Sequence, residues 1–315
     1  MKDYISNQQD FSTSDSFTLR QLLEQLWLGK WIIIVVCALA SVASVFYALN
    51  EKDIYKAEVL LAPVSENNGA GVGGLISGQL GGLASLANIN LGSNTTVNKT
   101  QLAMQIISSR KFVSEFVEKY KILPDLIAAN GWDRTSDQVT YDSEAYDTAN
   151  ERWIRQVPFP LTQIPSHQEA HRAFLRIFNV NQDKETGLIS ISVRHYSPTI
   201  AKRWVDKLVV EINEVMRKAD ILEAEKSISF LEKELNKTKV ADFKNAFHSL
   251  IEEQTKTIMF AKVRDEYVFK TVDPALAPEQ KDGPNRAFIC VLGFMAGLLF
   301  GVFIVVARFF SRLKD

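Results

Sequence analysis

Cysteine is nearly absent from this 315-residue chain: Cys37 and Cys290 are the only two, and each sits inside a long apolar run. The 237 residues from Asn50 to Arg286 contain none, so that stretch has no thiol nucleophile and no disulfide. Counted along helices, Cys37 lies ~9 Å below one membrane face and Cys290 ~5 Å below the other. That separates them by ~16 Å in depth, beyond the ~7 Å Cα limit for a bridge, so both read as packing thiols. Charge excess is missing too. A formal net charge of −1 gives no electrostatic footprint for nucleic acid.

Histidine is scarce at four residues, and only His167-Gln168-Glu169-Ala170-His171 resembles a zinc motif. Its two histidines share a helix face, but Glu169 falls on the opposite side from a metal-bound water, and no third ligand is evident. Ser166-x-x-Glu169 is also a capping-box spacing, which accounts for the glutamate without a metal. A phosphate loop is lacking as well. Gly69 to Gly92 holds eight of the 15 glycines but does not end in Gly-Lys-Ser/Thr, so it reads as a loop whose Leu75, Ile76, Leu80, Leu83 and Leu86 pack elsewhere. No Ser/His/Asp spacing is recognisable, and Glu223, Glu225, Glu232 and Glu234 with Lys226, Lys233 and Lys237 read as a solvated helix face. No catalytic residue, metal or cofactor is expected, and the chain is not expected to be an enzyme.

What the chain does have is two uncharged apolar runs, Trp31–Leu49 of 19 residues and Ala287–Ala307 of 21. As helices they span roughly 28–32 Å, close to the ~30 Å bilayer core, and only a helix satisfies its own backbone there. The first is longer and later than a signal-peptide core, so a retained helix is expected. Lys2, Arg20 and Lys30 precede it, and Arg308, Arg312 and Lys314 follow the second, which places both ends in the cytoplasm and the large segment outside. Trp27 and Trp31 fit the aromatic interface at the cytoplasmic face. The expected organisation is a tail over 1–30, membrane helices over 31–49 and 287–307, an outer α/β domain over 50–286, and a tail over 308–315.

Within the outer domain, Ile54–Val64 reads as a strand. Asn98–Ser109 and Arg110–Tyr120 read as helices with Leu102, Ile106, Phe112, Phe116 and Val117 as core candidates. Asn130–Pro165 is polar and proline-broken. Ser166–Arg176 predicts a helix, followed by a hairpin of Ile177–Asn181 and Leu188–His195, with Ile189, Ile191, Val193 and His195 on one face. Ser197-Pro198 is a strong helix start. From it runs an apolar stripe through Ala201, Trp204, Val205, Leu208, Val209, Ile212, Val215, Met216, Ala219 and Leu222, fading towards Leu235. After a turn at 238–242 a second helix returns to about Glu266, bearing Phe243, Phe247, Leu250, Ile251 and Ile258. The hairpin of about 198–266 is too long to bury its stripe on its short partner, so self-association is expected. Tyr267–Val272 predicts a strand leading back to the membrane. In the membrane runs, Gly293, Gly297 and Gly301 recur every four residues, as do Ala40, Ser44 and Ala48, a small-residue spacing that permits close helix approach.

These residues resemble a known family. Leu19-Arg20-Gln21-Leu22-Leu23, Leu26-Trp27-Leu28-Gly29-Lys30-Trp31, Tyr55-Lys56-Ala57 and Tyr196-Ser197-Pro198-x-x-Ala201 are similar to segments of the class 1 polysaccharide co-polymerases, the Wzz-type O-antigen chain-length determinants. Most specific is Asp273-Pro274-Ala275-x-x-Pro278-Glu279, then Pro284-x-Arg286 and the glycine-rich run; Asp282-Gly283 stands where the family is more basic. The resemblance implies an α/β membrane-proximal periplasmic domain with a long antiparallel helical extension and two transmembrane helices, N-in and C-in, in a bacterial inner membrane. It implies a ring-like homo-oligomer, an octamer, that catalyses nothing. The ring would set the modal length of O-antigen, or a related surface polysaccharide, built on lipid-linked glycan by a Wzy-type polymerase. No Walker motif is present, so the kinase activity of some relatives is not expected. Length would be set by the helical barrel as a scaffold or by membrane helices touching the polymerase, with Pro274, Pro278, Gly293, Gly297 and Gly301, facing Ala40 and Ser44, as the residues for the second mechanism. The competing reading is a periplasmic adaptor for polysaccharide export.

Overall fold

A computed structural model describes residues 27, 29–64, 95–238 and 240–312. The glycine-dense stretch and its leucines, the residues before Trp27, Leu28 and Lys314 lie outside them. In chain order the elements are α1 (Lys30–Asn50), β1 (Tyr55–Pro63), α2 (Thr95–Ile107), α3 (Arg110–Tyr120), α4 (Leu123–Ile127), β2 (Ala129–Asp133), β3 (Gln138–Tyr141), β4 (Tyr146–Asp147) and β5 (Arg152–Trp153). Then follow α5 (His167–Ile177), β6 (Phe178–Gln182), β7 (Ile189–His195), α6 (Pro198–Lys237), α7 (Ala241–Val263), β8 (Phe269–Asp273) and α8 (Arg286–Arg312). They form two compact units, one holding α1 and α8, the other spanning Lys52–Asp282.

The larger unit is built on a four-stranded antiparallel sheet in the order β6-β7-β1-β8. Its two central strands come from far apart in the chain, with Tyr55 paired to His195 and Leu61 to Ile189. On β7 Ile189, Ile191 and Val193 are fully buried on one face, and Ser192 of the other face is buried as well. The first half of α6 packs across β1 and β7, inserting Trp204, Val205, Leu208 and Ile212 into the core. Phe112, Phe116 and Val117 of α3 and Phe174 of α5 extend that core, with Phe116 and Phe174 in an edge contact at 6.0 Å between centroids.

Helix starts follow their capping residues. Ser109 and Ser197 accept from Phe112 and Ile200 N–H at 3.2 and 3.3 Å, and Pro198 occupies the first turn of α6, where its missing N–H costs nothing. Ser166 and Glu169 form a complete capping box on α5, so the glutamate of the histidine motif is held by helix-start chemistry.

Two sequence expectations are corrected. Leu102 is exposed, and α2 buries Ala103 and Ile107 instead, because the apolar face is rotated by one residue. The stretch 130–165 is not wholly irregular: it carries the ribbons β2–β3 and β4–β5, too short and polar to give a period-two signal. Further along the stripe of α6, Ala219 and Leu222 are exposed in the single chain. At ~1.5 Å per residue the 40-residue α6 is roughly 60 Å long, whereas the nine-residue β1 spans roughly 30 Å, so the helix outruns the sheet that covers it.

One core residue carries much of the wiring. Asn213, only 3% exposed, accepts through Oδ1 from the N–H groups of Tyr267, Val268 and Phe269 at 3.0, 2.7 and 2.9 Å. Its Nδ2 donates to the carbonyls of Val209 and Phe269, both at 3.1 Å. A single amide thereby satisfies the backbone where the chain turns from α7 into β8, the job a buried polar group must do to be tolerated in a core.

Candidate functional site

The helices long and apolar enough to cross a membrane, Lys30–Asn50 and Arg286–Arg308, pack on each other in one unit. Reversed numbering along the seam shows the pair to be antiparallel. Gly293 lies on Ser44; a Cβ at Gly297 would stand 2.6 Å from Ala40 Cβ and 3.2 Å from Cys37 Cα; one at Gly301 would stand 3.1 Å from Ile33 Cα. The structure thus brings together Gly293, Gly297, Gly301, Ala40 and Ser44. No side chain larger than hydrogen fits at Gly297 unless the helices part, the physical meaning of a small-residue seam.

Sequence spacing missed the far end of the seam. There the roles exchange: Gly29 precedes α1, and a Cβ on it would stand 2.6 Å from Cγ1 of Val305. Val305 continues the four-residue step 293, 297, 301, and extending that step was the available signal. Cys37 joins the seam as well, buried and with its Sγ 3.6 Å from the Phe294 carbonyl, a packing role that agrees with its lack of a disulfide partner. The hydroxyls of α1 are spent inside the helix, Ser41 donating to Cys37 O at 2.8 Å and Ser44 to Ser41 O at 2.9 Å, as an apolar solvent demands. At the opposite end Arg286 donates to Glu51 O at 3.3 Å, and Asn285 Oδ1 accepts from Phe288 N–H at 3.2 Å to start α8. Because the glycine face is filled by α1, the surface of α8 left uncovered is the large apolar one, Val291, Leu292, Met295, Leu299 and Phe303.

Pro274 and Pro278 belong to the other unit. They flank buried Ala275 in an extended segment after β8, Pro274 exposed and Pro278 half-buried. Beyond them the chain is pinned beside β1: Lys281 pairs with Asp53 at 2.9 Å, Asp282 N–H donates to Ile54 O at 2.8 Å, and Arg194 Nε donates to Asp282 at 2.7 Å. Asp282 therefore has defined partners on β7 and beside β1.

The remaining ionisable groups of interest serve structure. Arg155 grips Glu169 with two parallel hydrogen bonds of 2.7 and 2.9 Å while donating to Thr162 O and Gln163 O. The guanidinium, with help from the Ser166 N–H, holds the Glu169 carboxyl down at about 2. His195 is buried, takes the Ser197 N–H on Nδ1 at 3.0 Å, and therefore donates from Nε2 to Asp125 O at 3.1 Å. Burial pushes its pKa below the ordinary 6.5. His171 Nε2 lies 3.0 Å from Ser108 O, and His167 lies 3.5 Å from Glu118. Among the described residues no cluster of three His, Cys, Asp or Glu could hold a metal.

Residues 15–120 match the family model described as Wzz, chain length determinant protein, the same family to which the sequence motifs pointed. Among solved structures, a full-length bacterial polysaccharide co-polymerase is 13% identical, covering 95% of this chain and 99% of its own, at a TM-score of 0.40. A fragment of WzzB, polysaccharide co-polymerase from Salmonella Typhimurium, is 12% identical, covering 74% of this chain and 100% of its own, at 0.31. No curated protein matches.

Proposed function

We propose that this chain, whose residues 15–120 carry the Wzz chain length determinant pattern, regulates the modal length of a surface polysaccharide without catalysing a reaction. The family match is the observation that carries the reading. Two helices of membrane-crossing length at either end of an α/β unit with a 40-residue helix are consistent with it. In this reading the protein sits in a bacterial inner membrane with both ends cytoplasmic and residues 50–286 periplasmic. Copies assemble into a ring, an octamer, through the exposed apolar positions of α6 and α7. A Wzy-type polymerase elongates lipid-linked O-antigen beside the ring, which sets when product is released. Gly293, Gly297 and Gly301 with Ala40 and Ser44 act by fixing the helix pair, and Pro274 and Pro278 set the path of the chain into α8. Polymerase contact then falls to the bulky face of α8, since the glycine face is already filled.

The test is a comparison of surface polysaccharide from the source bacterium with and without this gene, measuring length distribution and total amount separately. Length control predicts that a modal cluster collapses to a short-weighted ladder at similar total amount. Less polymer with an unchanged distribution would replace this reading with the export adaptor.

A further inference from the structure

A recess in the α/β unit lies beside the capped start of α6. It opens between the β2–β3 ribbon, α4 and the first turn of α6, has a volume of about 370 Å³, and is lined by Asp125, Asp137, Gln138, Tyr141, Thr199 and Arg203. That size lies at the low end of small-molecule clefts, roughly 300–1,000 Å³.

Its acceptors are held in place. Tyr141 O–H donates to Asp125 Oδ1 at 2.5 Å. Asp137 sits in a left-handed turn conformation, φ 52°, where its carboxylate receives the Trp132 Nε1–H at 2.8 Å and the Thr199 hydroxyl at 3.2 Å. A non-glycine residue in that region carries strain, so the turn is held by these bonds. The donors of the recess face solvent: the Gln138 amide and the Arg203 guanidinium are exposed and make no side-chain hydrogen bond or ion pair among the described residues, so a ligand would reach them by replacing water.

The charge balance selects the ligand. Two carboxylates against one guanidinium repel phosphate and acidic groups. A metal ion would have to displace the Tyr141, Trp132 and Thr199 donors and sit beside a cation. A neutral polyhydroxyl satisfies both halves, because a sugar hydroxyl donates to a fixed carboxylate while its neighbour accepts from a guanidinium or amide N–H. We propose that this recess is a low-affinity subsite for one neutral sugar residue of the growing glycan. The proposal rests on the reading that the chain handles polysaccharide, and it places direct glycan contact on the α/β unit.

The experiment uses the full chain in lipid nanodiscs and lipid-free surface polysaccharide from the source bacterium as the probe. Saturation-transfer NMR measures contact, and inorganic phosphate and magnesium serve as competitors. Gln138→Ala with Arg203→Ala removes both solvent-facing donors, and thermal unfolding of the double variant checks that the fold is kept. The expected result is transfer to the polysaccharide that weakens at least fivefold in the double variant and is untouched by either competitor. Equal transfer in both proteins, or none in the wild type, would overturn the proposal, as would displacement by phosphate or magnesium. Length control is read separately: a gene deletion that loses the modal cluster, with full rescue by a double variant of unchanged binding, leaves length control standing and removes this subsite. An unaltered ladder on deletion with donor-dependent binding does the reverse.

Discussion

Arg155 and Glu169 show how a residue pair ties a loop to the core, and they make acid stability testable. Both side chains are well covered, 13% and 15% exposed. Glu169 has its folded pKa lowered from 4.5 to about 2, so the folded state binds fewer protons than the unfolded state between those values. Its stabilisation is complete above pH 4.5 and is lost as pH falls towards 2, in total about 3 kcal/mol. His195 has a lowered pKa as well, so its contribution is complete above 6.5 and falls as pH drops below that. Denaturant titrations across pH should therefore show a first loss below 6.5 and a second below 4.5, with Arg155→Ala abolishing only the second. Asn213 offers a second check: Asn213→Leu strands three backbone N–H groups and should cost about 3 kcal/mol, read as a lower urea midpoint at unchanged m-value. Neither Asn213 nor Arg155 was legible in the sequence. A lone amide inside an apolar stripe has no period, and a loop arginine has no spacing that names its partner.

At the scale of elements, the sequence was most informative where a periodic face meets a single neighbour. Ser197-Pro198 marked the start of α6, the β7 alternation marked its buried face, and the four-residue glycine step marked the seam of α1 and α8. On α6 the stripe was legible as longer than its cover, and the structure shows that the sheet ends first, leaving Ala219 and Leu222 exposed. Gly297→Leu forces a branched side chain into a gap closed even to a methyl group, so it should separate the helices. The measurement is the spin-label distance between α1 and α8 in nanodiscs, expected to lengthen by several ångströms. Leu299→Ala, on the uncovered face, should leave that distance unchanged. An unaltered distance in Gly297→Leu would contradict the packing role.

In the whole molecule, the conspicuous feature is apolar surface without a partner in one chain. Leu222 and Phe230 on α6, and Phe243, Leu250 and Met259 on α7, are 44–63% exposed, on helices that also carry the ion pairs Lys237–Glu234 and Lys256–Glu252. Such surface on a long hairpin is expected to be buried between copies. Phe230→Glu with Phe243→Glu should shift the detergent-solubilised assembly to smaller species in native mass spectrometry while leaving the circular dichroism of the α/β unit intact. The sequence made the need for self-association legible through the excess of apolar stripe over available cover, but the geometry of assembly depends on surfaces that no single-chain pattern encodes.

The central claim, that this chain sets polymer length without making polymer, is tested most directly by reconstitution. A Wzy-type polymerase and lipid-linked repeat units in proteoliposomes, with and without the full chain, would be read by the length distribution of the glycan formed. The account predicts a broad distribution from the polymerase alone, a narrow one centred on a modal length when the chain is added, and no polymer from the chain by itself. An identical distribution in both preparations, or polymer made without the polymerase, would contradict it.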